Sequence, residues 1–163
     1  MKISLGFSTC PNDTFIFDAL VNSKVKVDGI TFEPFLADVE ELNQKAMRAE
    51  LDVTKLSYHA FGHVTDSYKL LDSGSALGRG NGPLLVSKQK ISRNDIANHS
   101  IAIPGKFTTA NMLLAIAFPN AKNKREVLFS DVEDLLLKSE VDLGVLIHET
   151  RFTYRDKGLH LVQ

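Results

Sequence analysis

Apolar and polar positions alternate at the start of the chain. Ile3, Leu5 and Phe7 are separated by Ser4 and Gly6, a period of two that predicts a first strand. The polar stretch Ser8–Thr14 follows, and Asn12 and Asp13 are the candidate N-caps of a helix through Phe15, Phe17, Leu20 and Val21. Asp28-Gly29 predicts a turn into a strand over residues 30–36. Pro34 within it has no N–H to give to a neighbour and points to an edge position. Asp38 is placed to cap a helix carrying Leu42, Ala46 and Met47, with Glu40 and Glu41 in its first turn. Residues 51–57 read as a short strand ending in Lys55 and Ser57, and Tyr58 to Val64 as a short helix.

The second half repeats this rhythm without repeating the sequence. Leu84 to Val86 and Ser100 to Ile103 read as strands, and Pro104-Gly105 as a turn into a helix over residues 112–118. A strand over residues 125–129 and a helix capped by Asp131 follow. Leu143, Val145, Leu146 and Ile147, broken only by Gly144, form an apolar run of the kind buried on both faces of a sheet. Strands alternating with helices over short connections predict an α/β protein with mostly parallel strands. The polar run near residues 87–99 divides the units, giving lobes of residues 1–90 and 91–163 with a cleft between them.

Composition narrows the function. Hydrophobic residues make up 44% and charged residues 24%, the balance of a globular domain, and the net charge of −1 offers nothing to nucleic acid. No window approaches the roughly 20 apolar residues of a membrane span. The N-terminus lacks the longer apolar stretch of a secretory signal, which places the chain in the cytoplasm. Cys10 is the only cysteine, so neither an intramolecular disulfide nor a cysteine-based zinc site is available. His59 and His63 stand four apart, but no third ligand is evident, and no metal site is expected.

The candidate chemistry lies at strand-to-helix turns, where α/β sheets bind ligands. His148 ends the apolar run, and its ordinary pKa of about 6.5 lets it take or give a proton near neutrality. A hydrogen-bonded histidine without chemistry fits that position as well. Thr108 and Thr109 begin a helix, where hydroxyls and backbone N–H groups hold anions or simply cap. Arg79 and Asn81 lie among Gly78, Gly80 and Gly82, a stretch whose spacing matches no nucleotide-binding motif and which suits a ligand loop or a linker. Asn12, Lys55 and Ser57 belong to the same class of position.

Several stretches together resemble the 1,4-dihydroxy-6-naphthoate synthase family of the futalosine route to menaquinone. They are residues 7–17 (FSTCPNDTFIF), 38–43 (DVEELN), 54–58 (TKLSY), 76–84 (ALGRGNGPL), 104–109 (PGKFTT) and 147–154 (IHETRFTY). The match runs in order from residue 3 onward. Thr9, where the family commonly has proline, is one departure. The resemblance implies a two-lobed fold like that of type II periplasmic binding proteins, incomplete at the C-terminus because the family runs on by roughly another hundred residues. Apolar surface left uncovered in this way would favour marginal stability or a homo-oligomer.

The implied activity is a carbon–carbon lyase that converts cyclic dehypoxanthine futalosine to 1,4-dihydroxy-6-naphthoate, with no cofactor or metal. By the same resemblance His148 is the general base, and Lys55, Leu56, Ser57, Thr108 and Thr109 bind substrate. The substrate carboxylate would lie by Thr108 and Thr109 or by Arg79. Glu149, adjacent to His148 on an extended strand, would face the other way and serve as a structural partner. Two other activities stand beside this one: a solute-binding protein of the same fold without chemistry, and the sister chorismate dehydratase, whose motifs match less well.

Overall fold

The alternation at the N-terminus forms β1 (Lys2–Phe7), the middle strand of a three-stranded parallel sheet. β2 (Thr31–Leu36) pairs on one side with Leu5 opposite Pro34, and β3 (Val53–Thr54) pairs on the other. β2 is thus an edge strand, the position in which Pro34 leaves no ladder bond unmade. The computed structural model describes residues 1–162, which divide into two units that part between Leu77 and Gly78.

In the first unit α1 (Pro11–Val21) connects β1 to β2, α2 (Val39–Met47) connects β2 to β3, and α3 (Tyr58–Phe61) follows. Asp38 caps α2 as expected, its Oδ1 accepting from the N–H groups of Glu40 at 2.8 Å and Glu41 at 3.2 Å. The start of α1 differs from expectation. Pro11 occupies the first turn, where its missing N–H costs nothing, so the helix begins before Asn12 and Asp13 and neither is its cap. Leu42 and Ala46 on α2 are buried, and Leu42 and Leu51 pack over Gly6 of β1.

The second unit holds a five-stranded sheet in the order β6 (Lys124–Glu126), β5 (Ile101–Ile103), β7 (Leu143–Leu146), β4 (Leu84–Ser87), β8 (His160–Leu161). β5, β6 and β7 are parallel, while β4 runs antiparallel to β7 and β8. All four residues of β7 are buried because both faces are covered. Leu85, Ile101, Ile103 and Val145 pack on one face with α4 (Thr109–Ala117). Val86, Ala102 and Leu146 pack on the other with α5 (Val132–Leu137) and Tyr154, which follows α6 (Thr150–Thr153).

Residue 90 is therefore not where the units part. β4 pairs within the second sheet, and the division falls between Leu77 and Gly78. The polar run after β4 is an internal connection: it includes the 3-10 helix Arg93–Asn98, whose Ile96 is buried in the core. Two smaller expectations also shift. β6 begins at Lys124 and ends at Glu126, and Asp131 has helical backbone angles with no side-chain capping bond.

A structural repeat emerges that the sequence does not display. β1-α1-β2-α2-β3 and β5-α4-β6-α5-β7 follow the same path, each with its first strand in the middle. Each repeat is fastened by the same serine–aspartate pair. Ser4 donates its N–H at 2.8 Å and its hydroxyl at 2.7 Å to Asp52 Oδ2, and Asp52 N–H returns a bond to Ser4 Oγ at 2.8 Å. Ser100 and Asp142 make the same three bonds at 2.9, 2.8 and 3.0 Å.

Candidate active site

Two groups of site residues form, one at the carboxyl edge of each sheet. In the first unit Lys55 continues β3, its N–H bonded to Gly6 O at 2.8 Å. Its ammonium donates to Gly74 O at 2.7 Å and lies 3.6 Å from Asp13 Oδ1. Asp13, turned inward from α1, is buried and also accepts from Ser8 N–H at 3.1 Å and Ser8 Oγ–H at 2.8 Å. A buried carboxylate with two donors and a cation beside it is well satisfied, so Asp13 is an anchor for Lys55 rather than a helix cap.

Ser57 caps α3, its Oγ accepting from Ala60 N–H at 3.4 Å. The backbone N–H of Ser57 donates to Asn43 Oδ1 at 3.0 Å. Asn43 is fully buried on α2 and fixes the turn that carries residues 55–57. Asn43 was not singled out from sequence. An amide one position from Leu42 on the core-facing side of a helix is the signal that marks it. Leu56 is half-buried between Lys55 and Ser57, and Asn12 is exposed on the first turn of α1.

In the second unit Thr108 and His148 follow β5 and β7, parallel neighbours whose carboxyl ends share one edge. Thr108 is buried and caps α4, accepting from Asn111 N–H at 3.2 Å and donating to Gly105 O at 2.8 Å. Thr109 opens the helix. Arg79 is exposed in the glycine-rich segment that begins the unit. A cleft of about 350 Å³ in this unit is lined by apolar residues including Leu84, Leu113, Ile116 and Phe118, and by none of these site residues.

His148 lies two residues beyond β7, half-buried, with φ at +58°. Three other described non-glycine residues have positive φ: Ser23, Ala49 and Ser139. Each of these stands two residues past a helix, where a left-handed residue ends the helix. His148 alone of the four follows a strand. The turn is held by Thr150 Oγ1–H, which donates to Ile147 O at 2.8 Å. The imidazole meets the ring of Phe129 at 5.2 Å between centroids, with planes inclined at 61°.

Glu149 is exposed, with helical backbone angles at the entrance to α6. The strand has already ended at Leu146, so alternation of faces along an extended strand does not govern this pair. The rings of His59 and His63 meet edge to face at 5.3 Å, and among the described residues no group of three potential ligands is set to hold a metal. No described helix is long and apolar enough to cross a membrane.

Residues 3–163 match a protein family described as menaquinone biosynthesis. The chain is 44% identical over 157 residues to 1,4-dihydroxy-6-naphtoate synthase of Thermus thermophilus, covering 96% of this chain and 56% of that one. It is 36% identical over 163 residues to the synthase of Streptomyces coelicolor, covering 97% and 57%. It therefore spans a little over half the length of these relatives. Among solved structures, protein AF1704 from Archaeoglobus fulgidus superposes with a TM-score of 0.90 at 38% identity, over 99% of this chain and 59% of that one. The alkanesulfonate-binding protein SsuA from Xanthomonas axonopodis pv. citri, bound to MOPS, has a TM-score of 0.73 at 11% identity, over 99% and 60%. That likeness shows the fold alone: the α/β architecture of periplasmic binding proteins expected from the sequence.

Proposed function

Because the chain belongs to the menaquinone biosynthesis family, we propose that it acts as a 1,4-dihydroxy-6-naphthoate synthase, with His148 as general base. The observation that carries the assignment of the base is the left-handed backbone at His148. Such a conformation in a residue other than glycine costs roughly 1–3 kcal/mol, and it clusters where function over-determines it. Here it ends no helix, and it turns an imidazole off the line of a buried strand.

The substrate of this reading is cyclic dehypoxanthine futalosine. The reaction is a carbon–carbon lyase step: removal of a proton by His148 lets the bond to the sugar-derived portion break as the ring becomes aromatic. Imidazole accepts a proton near neutral pH without a strong base being formed first. Lys55, held by Asp13, supplies a cation to an anionic or oxygen-rich part of the substrate, with Leu56 and Ser57 beside it and Asn12 on the adjoining turn. The start of α4, with Thr108 and Thr109, suits the substrate carboxylate because backbone N–H groups gather there. It shares a sheet edge with His148, which favours it over Arg79. The reading includes a cytoplasmic location. It also includes self-association, supported by the exposure of Ile116 and Phe152.

The test is mass spectrometry of cyclic dehypoxanthine futalosine incubated with this chain and with His148→Asn. Asparagine accepts a left-handed backbone, so the variant should keep its fold. Dihydroxynaphthoate should form with the native chain and fall by orders of magnitude with the variant. Equal turnover by both would end the assignment of the base. Ligand bound tightly but returned unchanged would favour a binding protein instead.

A further inference from the structure

β6 and β7 are not neighbours, because β5 lies between them. With paired strands about 4.8 Å apart, their axes run roughly 10 Å from one another. Phe129, three residues past β6, and His148, two past β7, nevertheless bring their rings to 5.2 Å. The contact bridges the edge at which β5 ends. Phe129 remains 40% exposed, so burial in the core does not account for where its ring sits.

An imidazole on its backbone has two torsions, and the second is broad. A base at a sheet edge therefore needs a neighbour to hold its plane. Inclined aromatic pairs at this separation are a favoured arrangement, the positive edge of one ring meeting the negative face of the other. From this the geometry points to Phe129 as the positioning residue for His148. Its ring holds the imidazole in one orientation at the carboxyl edge of the sheet, while His148 itself meets the substrate. The inference rests on the reading of His148 as the base.

The experiment compares the native chain with Phe129→Leu, Phe129→Met and Phe129→Tyr. Carbon-13 relaxation of the His148 Cε1–H, assigned by its disappearance in His148→Asn, reports how rigidly the ring is held. Turnover of cyclic dehypoxanthine futalosine reports the consequence. In Phe129→Leu and Phe129→Met the His148 resonance should shift and its order parameter fall. Their kcat should drop roughly tenfold to a hundredfold, as expected when a reacting group is misplaced. KM should stay within about twofold of native, because Phe129 acts through His148 and no contact with substrate is lost. Phe129→Tyr should restore both readouts. A His148 ring as ordered in Phe129→Leu as in the native chain, or an unchanged kcat, overturns the proposal. Full turnover by His148→Asn would instead overturn the base itself, and the ring-order measurement would still decide whether Phe129 holds the imidazole.

Discussion

Glu133 shows what a single carboxylate does when it is taken out of water. Its side chain is 8% exposed, and Oε2 accepts from Lys157 Nζ at 2.6 Å. Oε1 is buried and meets no hydrogen-bond donor among the described residues. Removing Lys157 would leave a buried charge without its partner, a change more costly than losing the pair altogether. Lys157→Met should lower the free energy of unfolding in urea by about 1–3 kcal/mol. The double variant Glu133→Leu with Lys157→Met should recover most of that loss. Asp13 is a second carboxylate whose place is set by its partners. Asn12 and Asp13 looked equivalent from sequence because both are good caps, and what separates them is tertiary: Pro11 moves the helix start, and Ser8 and Lys55 draw one of the two inward.

Two strand glycines govern how closely helices approach the sheets. A Cβ on Gly6 of β1 would lie 2.6 Å from Leu51 Cδ1, 2.8 Å from Thr54 Oγ1 and 2.9 Å from Leu42 Cδ2. A Cβ on Gly144 of β7 would lie 2.6 Å from Val132 Cγ1 and 2.7 Å from Leu136 Cδ1. Gly6→Ala and Gly144→Ala should each cost about 1–3 kcal/mol through overpacking. Gly82→Ala, where nothing lies within 4 Å, should leave the thermal midpoint nearly unchanged. Calorimetry on the three variants tests this ordering. At this scale the strands with a strong pattern were legible: β1 by alternation, β5 and β7 as apolar runs. β8 was not, because two exposed residues, His160 and Leu161, carry no periodicity and become a strand only by pairing with β4. The 3-10 helix at Arg93–Asn98 was hidden too, since one buried residue, Ile96, sits among polar ones.

Across the whole molecule, the repeated serine–aspartate pairs link stability to pH. Bonds from the Ser4 hydroxyl and N–H hold Asp52 below the ordinary aspartate value of 3.8. The N–H and hydroxyl of Ser100, with His99 nearby, do the same for Asp142. A depressed folded pKa means stabilisation that is complete above the unfolded value and lost as the pH falls through the folded one. Acid should therefore destabilise the chain progressively below about pH 4 through these two groups. Ser4→Ala with Ser100→Ala should flatten that acid limb in urea titrations across pH 2–6, leaving the slope near neutrality unchanged. The twofold path of strands was legible only in part. Alternating strands and helices gave the class, but the parting at Leu77 depends on β4 finding β7, a long-range pairing that no local pattern in residues 84–87 announces. The candidate residues at the strand ends were legible as positions, whereas Asn43, which holds the Ser57 N–H, and Phe129, which meets the His148 ring, are marked only by their contacts.

The left-handed turn at His148 also bears on how such a protein can drift. A backbone at φ +58° is costly for most side chains and most of all for β-branched ones; glycine adopts it freely, and asparagine, aspartate and histidine bear it at lower cost than the rest. In the genetic code histidine and asparagine codons differ only at their first base. If His148 is the base proposed above, one transversion would thus remove the proton acceptor while preserving the turn, the strand before it and the sheet edge around it. A lineage carrying that change would keep the folded sheet edge without the proposed chemistry, and catalysts and ligand carriers of this architecture would be adjacent in mutational distance.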